Sequence, residues 1–261
     1  LMRQQGFVRD GGRWRTRQEL TVNQANEDVE DAEIQWRIKI MRWESIILHN
    51  PAKASVAIAS IRAIKDYRAT KTLAERLNQV KLSRDMKFMY LEVLIAIGGN
   101  VPVEAMLKCI SMDSDEALRQ RCLNQLRKWQ SRSAMFFFIS LLNATDNQTV
   151  NNGGYALGEL AMADALLPLI KALRTRHTYT IGGGNNINAN FSPNQPGLGG
   201  MNFGGKPKVV DQYLINRSVH SAILAIVPED VNFGYDQDRW MQWYIRLNTP
   251  QNINLRRAAQ N

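Results

Sequence analysis

Apolar residues return along this chain with two nested periods. Within short segments they recur at three- and four-residue steps, the mark of an amphipathic helix. The segments themselves recur about every 31 residues. In ESIILHN (44–50), ERLNQVK (75–81), AMLKCIS (105–111), FFFISLL (136–142) and LPLIKAL (167–173), Ile46, Leu77, Leu107, Phe138 and Ile170 hold matching places. Three positions later stand His49, Val80, Ile110, Leu141 and Leu173. A second helix is expected after each, carrying Ala63–Ile64, Ala96–Ile97, Gln125–Leu126, Ala156–Leu157 and Ala225–Ile226. A small residue beside a large aliphatic one, as in four of these pairs, lets helices approach closely while filling the space between them. The last interval is stretched to about 69 residues. Two helices per repeating unit predict an all-α fold, an α-solenoid of about five helix pairs.

Local signals support the same elements. Asn50–Pro51 reads as an N-cap followed by Pro at the first helical position. Asp113 with Glu116 resembles a capping box for a helix ending near Trp129. Gly98–Gly99 closes one helix and Pro102 opens the next, while Asp164 is expected to cap a helix whose first turn holds Pro168.

Two stretches break the helical period. GFVRDGGRWRTRQEL, with Asp10-Gly11-Gly12 between Phe7-Val8 and Trp14, predicts a small N-terminal β-hairpin that caps the first repeat. From about Tyr179 to Lys206 the chain turns to Gly and Asn, and no charge appears before Lys206. Its flanks, HTYTI (177–181) and KVVDQ (208–212), alternate in the manner of paired strands, which predicts a long Gly/Asn-rich β-hairpin insertion near the C-terminus. The expected organisation is a hairpin cap over 1–26, then repeats one to four and the first helix of repeat five over 27–176. The insertion follows over 177–212, and the second helix of repeat five with a Trp-rich capping helix occupies 213–261. In that last helix Asp236 is the expected N-cap, and Trp240, Trp243, Tyr244 and Leu247 line one face.

Charge adds a hint about partners. The 261 residues carry a net charge of +9, with a pI near 9.7, a field that attracts nucleic acid, anionic lipid or acidic protein. The densest basic cluster is Arg9, Arg13, Arg15 and Arg17 around Trp14. These residues, with Arg119 and Arg127 on the helices and Phe191 and Phe203 in the insertion, are the candidate partner-binding set. No apolar run approaches the roughly 18 residues that a membrane span needs. No signal peptide is visible in the residues given, and since they begin with Leu1 rather than Met, room is left for a leader or a longer N-terminal region. Cys109 and Cys122 fall in apolar helical contexts and read as buried thiols, with a disulfide across a helical hairpin as the alternative in an oxidising compartment.

Three features carry a family resemblance. GFVRDGGRW is similar to a short Gly-aromatic-Val element ending in Gly-x-Trp that precedes helical repeats. YALGELA (155–161) followed by DALLPLIKAL (164–173) resembles the small-Leu-Gly helix end and Leu-Pro-Leu start of HEAT repeats. NRSVHSAILAIV and NFGYDQDRWMQWY resemble a terminal unit. On these grounds the chain resembles the bacterial HEAT-repeat (armadillo-type) proteins, in particular uncharacterised planctomycete members, from Gly6 to Leu247. The resemblance implies a scaffold for protein–protein interaction, and it transfers no catalytic residues. With the uncharged insertion, it favours the bacterial envelope or periplasm over the cytoplasm.

Searches for chemistry leave the catalytic, cofactor and metal sets empty. Gly200, Gly205 and Lys206 have phosphate-loop spacing, but Pro207 stands where a magnesium-binding hydroxyl is needed. His49, His177 and His220 form no metal-binding spacing. Glu27, Asp28, Glu30, Asp31 and Glu33 read as the favourable acidic start of a helix. Asp236 or Asp238 beside Trp240 and Trp243 is the one arrangement suited to a glycosylase, and a helix cap explains it better. The expected function is a non-enzymatic module binding a protein partner or larger assembly through its helical face and projecting hairpin. The alternative is nucleic-acid binding through a basic concave face drawing on Arg42, Arg62, Arg68, Arg84, Arg119, Arg121 and Arg127.

Overall fold

The computed structural model describes residues 7–181 and 208–249. It is mostly helical, with two small antiparallel hairpins, and it divides into two compact units between Ser131 and Arg132.

The first unit opens with β1 (Phe7–Asp10) and β2 (Arg13–Thr16), paired antiparallel from Phe7 opposite Thr16 to Asp10 opposite Arg13. The two-residue turn uses Gly11 and Gly12 at φ 53° and 84°, a left-handed pair that fits the twist of a hairpin. The hairpin ends much earlier than the expected 1–26 cap, because Thr16 starts a helix. Its hydroxyl accepts from the Glu19 amide, and the Glu19 carboxylate accepts from the Thr16 amide, a complete capping box. Helix α1 (Arg17–His49) then runs for 33 residues. The acidic run Glu27–Glu33 therefore lies inside α1 and not at its positive end.

Next come α2 (Pro51–Arg62), a short 3-10 turn at Tyr67–Ala69, α3 (Thr70–Leu77), α4 (Arg84–Ile97), α5 (Asn100–Met112) and α6 (Glu116–Lys128). Gly98 and Gly99, both at positive φ, end α4 as expected. Pro51 opens α2 as expected, although the Asn50 side chain makes no capping bond. The cap of α6 is Asp115, whose carboxylate accepts from the Leu118 amide. Asp113, expected in that role, sits two residues earlier and accepts instead from the Asp115 amide and from Lys87.

The second unit contains α7 (Arg132–Leu141), α8 (Asn147–Leu160), α9 (Leu166–Lys171), β3 (Arg174–Ile181), β4 (Lys208–Ile215), α10 (Arg217–Ile226) and α11 (Gln237–Asn248). Asp164 does not cap α9. It lies in a 3-10 turn before that helix and pairs with Arg132 at 3.2 Å. The ribbon β3–β4 is longer than expected, with Arg174 opposite Ile215 at one end and Ile181 opposite Lys208 at the other. Residues 213–215, assigned from sequence to the following helix, are strand. Asp236 caps α11 through the Arg239 amide at 3.0 Å. Of the expected aromatic face only Trp240 is fully buried, its indole N–H donating to the Gly234 carbonyl at 2.8 Å, whereas Leu247 is exposed.

Of the expected positions, Leu77, Phe138, Ile170, Leu173, Ile64, Leu126 and Leu157 are buried, and the buried residues recur at an interval close to the expected one. Ile40, Leu73, Met106, Phe138 and Ile170 are buried at intervals of 32 or 33 residues. A second row, Ile61, Leu94, Leu126 and Leu157, is fully buried at intervals of 31 to 33 and continues at Ile223. Ile46 and Leu107 are only half-buried, and His49 and Val80 face solvent because one ends α1 and the other lies in the turn after α3. Ala96 and Ala225 are likewise exposed, and the buried pairs on α4 and α10 sit three residues earlier, at Val93–Leu94 and Ala222–Ile223. The last turn of an amphipathic helix often runs past the surface it packs on, so apolar residues there can face solvent. Among the described residues no helix is long and apolar enough to cross a membrane.

Candidate interaction surfaces

The candidate residues fall into three groups. In the first hairpin, cross-strand pairing places Arg9 beside Trp14, while Asp10 and Arg13 pair next along the ladder. Alternation puts Arg9 and Trp14 on one face and Arg13 and Arg15 on the other. Arg15 is engaged with Asp10 at 3.1 Å. Trp14 keeps 41% of its surface exposed, with Arg9 and Arg13 exposed near it. Arg17 begins α1 and is also exposed. The five basic and aromatic residues are thus near one another in sequence but do not share one face.

On α6 the two candidates differ. Arg119 is half-buried and donates to the Asp113 carbonyl at 2.8 Å, which fixes it as part of the α5–α6 connection. Arg127 lies exposed in the last turn, where a cation meets the negative end of the helix. Among the other arginines considered for nucleic acid, Arg62, Arg68 and Arg84 are paired with Glu92, Asp66 and Asp115. Arg42, Arg121 and Arg127 are exposed, and among the described residues none of them is held in an ion pair. Phe191 and Phe203 lie outside the described residues, as does the Gly200–Lys206 stretch.

Several buried polar groups bond to one another or to backbone carbonyls. Glu44 on α1 accepts from Arg76 Nε at 2.7 Å and from the Tyr90 hydroxyl at 3.1 Å. Burial, reinforced by the Glu44 charge, pushes the Tyr90 hydroxyl well above its ordinary pKa. Lys87 pairs with Asp113 where both side chains are about nine-tenths covered. Burial raises the Asp113 carboxyl, but the hydrogen bonds from Lys87 and the Asp115 amide outweigh it and hold it below the usual range.

In the second unit, buried Asn216 donates to the Ala172 carbonyl at 2.7 Å and the Thr175 hydroxyl at 2.8 Å, and accepts from Asn151 at 3.0 Å. His177, also buried, bonds through Nδ1 to the Thr145 carbonyl at 2.7 Å. Because a carbonyl only accepts, Nδ1 carries the proton. Among the described residues no group of three His, Cys, Asp or Glu side chains could hold a metal ion. Cys109 and Cys122 are buried free thiols. The neighbouring Cys109 and the burial of the site raise the Cys122 thiol far above its usual range.

One surface escaped the sequence reading. On α1, Ile34, Ile38, Met41 and Leu48 keep 50% to 57% of their surface exposed. At 100° per residue they form a stripe on the side opposite Trp36, Ile40 and Trp43, which face the unit's interior. Their spacing of four, three and seven residues was a usable signal, hidden because α1 already carried one apolar face. Beside the stripe, a cleft of about 270 Å³ is lined by Arg37, Met41, Thr72, Glu75, Arg76 and Gln79. In the second unit a cleft of about 310 Å³ lies among Ile139, Leu142, Leu167, Pro168, Lys171 and their neighbours.

Neither a protein-family model nor a curated protein matches the chain.

Proposed function

We propose that the chain is a non-enzymatic binding module that engages a protein partner through its helical surface. The observation that carries this reading is the exposed stripe Ile34–Leu48. Four large apolar side chains on one helix face cost solvation free energy unless something covers them. Among the described residues, α1 packs on its neighbours mainly through the opposite side and leaves half or more of each of these four side chains exposed. The proposal includes an α-solenoid arrangement of HEAT type, supported by the 31-to-33-residue recurrence of buried positions.

A photo-crosslinking residue placed at Ser45, within the stripe, should capture one discrete partner in cells, and the adduct should vanish in Ile38→Ser. An adduct that survives Ile38→Ser, or none at all, overturns the reading.

A second reading, nucleic-acid binding, draws on exposed Trp14 beside Arg9, an aromatic plane for a base next to a cation for phosphate. A gel shift with single-stranded DNA at low salt should then weaken steeply at moderate salt and in Trp14→Ala. An unshifted band at low salt removes it.

A further inference from the structure

We infer that the α1 stripe takes an acidic amphipathic helix, its apolar side chains on Ile34, Ile38, Met41 and Leu48 and its carboxylates on Arg37 and Arg42. This rests on the protein-binding reading above and names the chemistry of the partner. The spacing is that of alternating d and a positions in a heptad, with Ser45 completing the series, which is the seam a second helix packs along. At 100° per residue, Arg37 and Arg42 border the seam on opposite sides. Both are exposed, and among the described residues neither is held in an ion pair. Cations on both flanks of an apolar strip select a partner whose flanks are anionic.

The surroundings limit where the partner lies. Glu75 and the Glu44-bound Arg76 form the far wall of the adjoining cleft, so the partner's carboxylates fall on the flanks and its apolar groups on the rim at Met41. N-terminal to Ile34 the same face turns acidic with Glu30 and Asp31, which ends the site there. A second copy of this chain fits less well, because Arg37 of one helix would meet Arg42 of the other across a parallel seam.

The test uses the full chain and two fluorescein-labelled synthetic helices of about three heptads, with Leu at the a and d places. One carries Glu at the flanking e and g places and the other Lys. Anisotropy should show saturable binding of the Glu helix, weakened about tenfold or more by Arg37→Glu with Arg42→Glu. That double variant should in turn gain affinity for the Lys helix. Ile38→Ser should lose both, with circular dichroism unchanged because the side chain is exposed. Equal binding of both helices, or no binding of the Glu helix, overturns the inference. If the Ser45 adduct still forms in cells, that failure sinks the charge assignment alone and leaves the interface standing. Sedimentation showing a dimer that Ile38→Glu dissociates would make a second copy the occupant and also overturn it.

Discussion

At the scale of single residues, the Lys87–Asp113 pair shows how a buried charge is carried. Lys87 is drawn out of water at the start of α4, and Asp113 just past the end of α5 neutralises it. Asp113→Asn leaves that ammonium buried without its counter-charge and should cost about 3–5 kcal/mol at neutral pH. The pH dependence has a definite sign. The Asp113 carboxyl is lowered in the folded chain, so its contribution is complete above its ordinary value of 3.8 and is lost as pH falls below that. Urea melts at pH 7 and pH 3 should therefore show the gap between wild type and Asp113→Asn narrowing in acid. A gap that stays constant would mean the carboxylate charge is not what the substitution removes.

At the scale of elements, α8 and α10 meet through glycines. An added Cβ at Gly154 would lie 2.7 Å from Val219 Cγ2 and 2.8 Å from the Val219 backbone nitrogen, and one at Gly158 3.0 Å from Ala222 Cα. Gly→Ala inside a helix ordinarily stabilises by about 0.5–1 kcal/mol. Here the backbone of α10 would have to move, so Gly154→Ala should lower stability by about 1–3 kcal/mol, read as a drop in melting temperature. Unchanged or raised stability would show that the two helices have slack between them. The sequence made α8 and α10 legible as helices, and Ala156–Leu157 correctly marked the buried side of α8. It misplaced the matching pair on α10 by one turn, because Ala222–Ile223 and Ala225–Ile226 are equally apolar and only the close approach at Gly158 selects the first. The α1 stripe was missed for a related reason. A helix that already has one apolar face gives no simple period when a second is added, and its burial is decided by neighbours that the local sequence does not name.

At the scale of the whole molecule, the strand ladder and the Asn216 hydrogen bonds fix the base of the insertion from both sides. Replacing residues 182–205 with a short turn should leave the helical circular dichroism and the melting temperature nearly unchanged. A collapse of the melt would show that those residues contribute to a core. The candidate surface was the least legible part, since charge and aromatic content pointed to the first hairpin, whose residues point to two faces. The α8–α10 contact has one more consequence, in time rather than in stability. Its partners are separated by some 65 residues of chain, whereas α3 and α4 are successive helices joined by a short connection. Loop-closure entropy must be met before that contact repays it, though each doubling of the intervening length adds only about 0.6 kcal/mol. Within the second unit, docking of α10 on α8 is therefore expected to follow that of the successive helices α7 and α8, at a pace set by how soon Val219 finds Gly154.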